Sequence, residues 1–140
     1  MFGLGKTWEM DPRLARDTVD ILTHGECRLV LMNDARWPWL IVIPMIPDVE
    51  ELHDLPPARA DAIMQFALHV SRKMQALTGA DKMNVAAIGN MVRQLHIHVV
   101  ARSEGDPNWP APVWGYGTAT PYDPVDRAAH IEKLKEALRV

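Results

Sequence analysis

Gln94, His96 and His98 alternate with Leu95, Ile97 and Val99 in the run Gln94-Leu95-His96-Ile97-His98-Val99-Val100. Side chains on a strand point alternately to opposite faces, so the three polar residues share one face and the apolar ones the other. At about 3.3 Å per residue the two imidazoles stand roughly 7 Å apart along the strand. Neutral imidazole is a nucleophile near pH 7 and imidazolium a donor, so a pair on one rigid strand suits attack on a phosphoryl group and stabilisation of the charge that develops there. Two other readings fit the same alternation. The histidines can be rim residues of a half-buried strand without chemistry. They can also ligate zinc at i and i+2, which requires a third ligand. Glu50, Glu51, His53 and Asp54 are candidates that sequence alone does not place beside them.

The elements that must hold this run are legible on either side. Val19-Asp20-Ile21-Leu22 reads as a short strand, and Thr23-His24-Gly25-Glu26 as a turn into the apolar run Cys27–Met32, which predicts a hairpin. Asn33-Asp34-Ala35-Arg36-Trp37-Pro38 interrupts the pattern before Trp39-Leu40-Ile41-Val42-Ile43, a second hairpin partner stopping at Pro44. The unbroken run Leu40-Ile41-Val42-Ile43 implies burial on both faces, hence a central strand covered by a helix. Ile63, Phe66, Ala67, Val70, Met74 and Leu77 recur at helical spacing and predict that helix between Ala58 and Thr78, with Pro56-Pro57 at its start and Gly79 past its end. His69 falls off the stripe and is expected in solvent. Met83–Ile88 reads as a strand whose turn, Gly89-Asn90, hands over to the histidine strand, so the two should be antiparallel neighbours. The expected fold is α+β: a mainly antiparallel sheet of about five strands with one long helix packed on it.

The ends are less regular. Residues 1–18 are read as an N-terminal arm in which Asp11-Pro12 opens at most a helical turn through Arg16. From Gly105 to Gly115 the chain is rich in Gly, Pro and Trp. Two tryptophans cannot stay in water without a penalty, so this stretch is expected to cover the neighbouring subunit of a homodimer, with its own sheet as the alternative. Asp123-Pro124 then caps a C-terminal helix with Ala128, Ile131, Leu134 and Leu138 on one face. The whole, 1–140, is expected to be one domain, with 103–140 as irregular tail and C-terminal helix.

Composition narrows the partners. With 48% hydrophobic and 24% charged residues, a formal net charge of -3 and no long apolar run, the sequence reads as a soluble globular protein with no membrane span. One cysteine, Cys27, and the lack of a signal-like leader make the cytoplasm the expected address. Mild acidity without a Lys/Arg stripe excludes phosphate-driven binding to long nucleic acid and leaves a small nucleotide as partner.

These residues resemble the histidine-triad nucleotide hydrolases and transferases, whose motif is His-φ-His-φ-His-φ-φ with φ apolar. The run at 94–100 matches at every position but the first. Gly89-Asn90 resembles the family's Gly-Gln, Arg102-Ser103-Glu104-Gly105-Asp106 its Arg-x-x-Gly-Asp exit, and Leu31-Met32-Asn33 its nucleotide-contacting hairpin; the similarity spans roughly Cys27 to Asp106. The resemblance implies that His96 attacks an α-phosphate and becomes a transient phosphohistidine, with no cofactor required, while His98 and Asn90 hold the phosphate. It further implies that Asn33 bonds the ribose and Leu31 packs on the base. Two departures stand out. Gln94 replaces the first histidine and can donate to a phosphate oxygen but not titrate. Met91 stands where the family usually has a Ser or Thr hydroxyl, and losing such a donor can slow the reaction about a hundredfold. A non-catalytic nucleotide sensor is the alternative that Met91 favours. A nucleoside phosphoramidate, a dinucleoside polyphosphate and a nucleotide-sugar all present the same α-phosphate, so the sequence does not choose among them.

Overall fold

A computed structural model describes residues 5–139 as one five-stranded antiparallel sheet flanked by three helices. The strands are β1 (Thr18–His24), β2 (Cys27–Met32), β3 (Trp39–Pro44), β4 (Lys82–Ala86) and β5 (Ile97–Arg102), in the order β1-β2-β3-β5-β4. The two expected hairpins and the β4–β5 pairing are all present. Every residue of β3 is buried, as an apolar run covered on both faces requires.

Strand alternation divides the core in two. Leu29, Leu31, Leu40, Val42, Ile97 and Val99 point to one face, where α2 (Pro57–Thr78) packs with Ile63, Phe66, Ala67, Val70 and Met74. Pro57 sits in the first turn of α2, and Gly79 closes it at a φ of 68°, its N–H donating to the Gln75 carbonyl at 2.9 Å. The expected stripe is one residue too long, because Leu77 in the last turn is 42% exposed. His69, expected in solvent, is half-buried beside Phe66, its ring centroid 6.5 Å away. The C-terminal helix α3 (Pro124–Ala137) is capped by Asp123 and buries Leu134, with Leu138 just beyond; Ala128, assigned to the same face, is exposed.

The second face carries Val30, Trp37, Trp39, Ile41, Ile43 and Val100, and is closed by the two segments that looked irregular. Residues 12–17 form a true helix, α1 (Pro12–Asp17), N-capped by Asp11, and Trp8, Met10 and Leu14 lie against the sheet. The tail brings Val113 and Trp114 to the same surface. Val113 and Trp114 thus pack on the tail's own sheet, the alternative receiving surface read from the sequence. Arg102 anchors this return. It is 1% exposed, holds Asp106 through two hydrogen bonds at 2.7 and 2.8 Å, donates to the Ala111 carbonyl at 2.8 Å, and lies over the Trp37 and Trp109 rings. Among the described residues no helix is long and apolar enough to cross a membrane.

Candidate active site

β5 begins at Ile97, so His98 is a strand residue while His96 and Gln94 belong to the irregular lead-in, with a bend at Gln94. Both histidines face the second side of the sheet, and both are 5% exposed. The two imidazoles expected on a polar face are thus buried, while Gln94 is half-buried. That makes the protonation state of each ring a structural matter, since a buried imidazolium must be compensated.

Each ring has one nitrogen fixed by a partner. The Nδ1 of His96 lies 2.6 Å from the Gln94 carbonyl oxygen. A carbonyl only accepts, so Nδ1 carries the proton and Nε2 keeps its lone pair. The Nδ1 of His98 instead accepts from the Trp39 indole N–H at 3.0 Å, which places the His98 proton on Nε2. The site therefore offers one nucleophilic nitrogen and one N–H donor on rings whose centroids are 4.9 Å apart. Burial lowers the pKa of His96, partly opposed by its bond to the Gln94 carbonyl and by the Asp11 carboxylate. Burial, with His96 adding to it, pushes His98 down to about 3. Both rings are neutral at pH 7.

The strand register explains why Trp39 reaches His98. Trp39 pairs with Val100 and Ile41 with His98, so the indole sits diagonally across from the imidazole on the same face, within reach of a large side chain. Trp114 closes the other side of the His98 ring at 5.3 Å between centroids. Neither tryptophan was singled out as a site residue from the sequence. The signal, an aromatic at the first position of the central strand, acquires meaning only once β3 is paired with β5.

A cavity of about 290 Å³ opens over the histidines; its walls include Arg13, Met32, Trp39, Asn90 and Trp114. It continues into a larger one of about 420 Å³ lined by Asn33, Asp34, Arg36 and Tyr116, the two sharing Asp17, Met32, Trp39 and Gly115. The smaller holds the two histidines although the larger holds the volume. Asn90 lies on the rim of the histidine cavity, in a loop whose Gly89 has a φ of 69° and would bring any Cβ to 3.2 Å from the Val92 carbonyl. Asn33 lies in the adjoining cavity, its side-chain oxygen accepting from the Tyr122 N–H at 3.0 Å, which leaves its NH₂ for another partner. Two assignments change. Leu31 is fully buried beneath α2, on the opposite face of the sheet from the histidines, and its neighbour Met32 lines the cavities instead. Gln94, expected to donate to a phosphate, has its carboxamide bonded to the backbone of Glu9 and Asp11.

Among the described residues no three His, Cys, Asp or Glu side chains are grouped to hold a metal ion. Of the residues considered as a third ligand, Glu50 is paired with Arg93 at 3.1 Å, and the exposed His53 lies 3.8 Å from Asp54.

The HIT domain family matches residues 14–105 of the chain. A histidine triad protein of Sinorhizobium meliloti is 44% identical, with a TM-score of 0.91 over 94% of this chain and 97% of that one. A histidine triad protein from Marinobacter aquaeolei is 40% identical, with a TM-score of 0.92 over 94% and 96%. One from Bradyrhizobium japonicum is 36% identical, with a TM-score of 0.91 over 94% and 98%. No curated protein sequence matches the chain.

Proposed function

The chain belongs to the HIT domain family, and from that premise we propose that it is a nucleotide phosphohydrolase or nucleotidyl transferase working through a covalent intermediate on His96. The observation that carries this reading is the bond from His96 Nδ1 to the Gln94 carbonyl, which leaves Nε2 unprotonated in a cavity wall. In the first step the Nε2 lone pair forms a P–N bond to the α-phosphorus, and the bond to the leaving group breaks, the leaving group departing with the electron pair. The ring then carries a positive charge, which the Gln94 carbonyl stabilises through the Nδ1 proton. In the second step water, or an acceptor hydroxyl, attacks phosphorus and loses its proton to solvent, the P–N bond breaks, and Nε2 regains its lone pair. The Nε2–H of His98 donates to a phosphate oxygen in both steps. The nucleoside lies in the adjoining cavity, with the free NH₂ of Asn33 toward the ribose and Met32 and Trp39 toward the base.

The test is to mix the protein with a nucleoside phosphoramidate, a dinucleoside polyphosphate and a nucleotide-sugar in turn, quench at a single turnover and weigh it. A nucleotidyl adduct on the wild type that is absent in His96→Ala is the expected result. Undiminished turnover by a folded His96→Ala protein refutes the mechanism. The second reading, a sensor that binds nucleotide without turning it over, is favoured by Met91, which is 82% exposed and offers no hydroxyl to the site; tight binding without any adduct is its mark. A homodimer is also proposed, on the family resemblance. The sheet has two edge strands, β1 and β4, and β4, whose Val85 is exposed, is the edge assigned to pairing in this reading. Light scattering at micromolar concentration reads the oligomer directly, and a monomer refutes it.

A further inference from the structure

We propose that Arg13, brought to the histidine cavity by the N-terminal segment and held there by Gln94, is a phosphate-binding residue of this site; the inference rests on the nucleotide reading above. The Gln94 carboxamide is used at both ends: Nε2 donates to the Glu9 carbonyl at 2.8 Å, and Oε1 accepts from the Asp11 N–H at 3.0 Å. Gln94 thus clasps residues 9 to 11 and acts as a positioning residue. What the clasp delivers is the start of α1. Asp11 caps that helix by accepting from the Arg13 N–H at 2.8 Å, and the same carboxylate binds the Arg13 Nε at 3.2 Å and Nη2 at 3.1 Å. On the other side Arg13 Nη1 donates to the Met91 carbonyl at 2.9 Å, which ties the guanidinium across the cavity mouth.

A guanidinium has five N–H donors. Three are engaged by Asp11 and Met91, and one remains on each terminal nitrogen of a residue that lines the same cavity as His96 and His98. Held from both sides, the group loses little freedom on binding and keeps a donor on each terminal nitrogen for phosphate oxygens. Asp11 balances its charge, so Arg13 contributes direction more than net charge. The donor that the exposed Met91 side chain cannot supply is provided by the cation bonded to the Met91 backbone.

The probes are adenosine monophosphate and adenosine, titrated calorimetrically into the intact protein. Arg13→Gln is expected to weaken the monophosphate on the order of tenfold and to leave adenosine unchanged. Arg13→Lys should recover part of the loss, since it keeps the charge without the fork. Gln94→Ala, checked for folding by near-ultraviolet circular dichroism, should weaken the monophosphate selectively as well. Equal affinity of wild type and Arg13→Gln for the monophosphate overturns the proposal, and so does an equal loss for both probes. A wild type that binds neither probe overturns the nucleotide reading itself, a result visible before any variant is made.

Discussion

Replacing His98 by asparagine should make the protein less stable at neutral pH and markedly less sensitive to acid. Asparagine keeps an oxygen for the Trp39 indole N–H but cannot titrate. In the folded wild type the His98 ring is 5% exposed, and burial holds its pKa at about 3 against an ordinary 6.5. Above pH 6.5 both folded and unfolded chains carry a neutral ring, and nothing is gained or lost. Below it the unfolded chain binds a proton that the folded chain refuses, so stability falls with pH by up to ~1.4 kcal/mol for each unit. From pH 6 to pH 4 this one residue accounts for roughly 2.5 kcal/mol, within a limit of roughly 5 kcal/mol if the descent continues to the folded pKa. His96, shifted in the same direction, and the carboxylates of Asp34 and Asp106, held low against their arginine partners, also withdraw stability as pH falls, but they do so in both proteins. The assay is urea unfolding of both proteins at pH 7, 6, 5 and 4. At about 2 kcal/mol per molar urea the wild-type midpoint should drop by roughly 1 M more than that of His98→Asn between pH 6 and pH 4. Parallel losses in the two proteins would show that His98 protonates freely in the folded state and that the fixed tautomer is wrong.

Trp39→Phe removes the N–H that sets the His98 tautomer while keeping an aromatic ring. Turnover should fall about tenfold with little change in nucleotide affinity, and nitrogen chemical shifts should show a mixed His98 tautomer; a single unchanged tautomer refutes the role given to Trp39. Gln94→His should destabilise the protein by ~1–2 kcal/mol, because one imidazole cannot serve both backbone partners. Thermal unfolding at or above the wild-type temperature would contradict the clasp. Asp106→Ala should cost ~3–5 kcal/mol, since it strands the buried Arg102 guanidinium. Urea unfolding checks it, and a loss under about 1 kcal/mol would mean that the tail does not depend on that pair.

Local alternation and helical spacing determined much of this protein from the sequence itself. They located the strands of the sheet, the covering helix with its proline start and glycine end, the central all-buried strand at Leu40–Ile43, and His96 and His98 as neighbours on one face. Those patterns are legible because each depends on residues a few positions apart. The contacts that give the site its chemistry join residues far apart in the chain. Trp39 meets His98 through a register between β3 and β5 that no local pattern encodes, and Gln94 clasps residues more than eighty positions earlier. Leu31 and Met32 differ by one position, so a face assignment one residue off put the expected cavity residue on the wrong side of the sheet. The arm and the tail lack periodicity because they cover a flat apolar face with single anchors, Leu14, Val113 and Trp114, in place of a stripe. Their placement was decided by the tertiary structure, through the buried Arg102–Asp106 pair and the Gln94 carboxamide, side chains whose partners exist only after the sheet has formed.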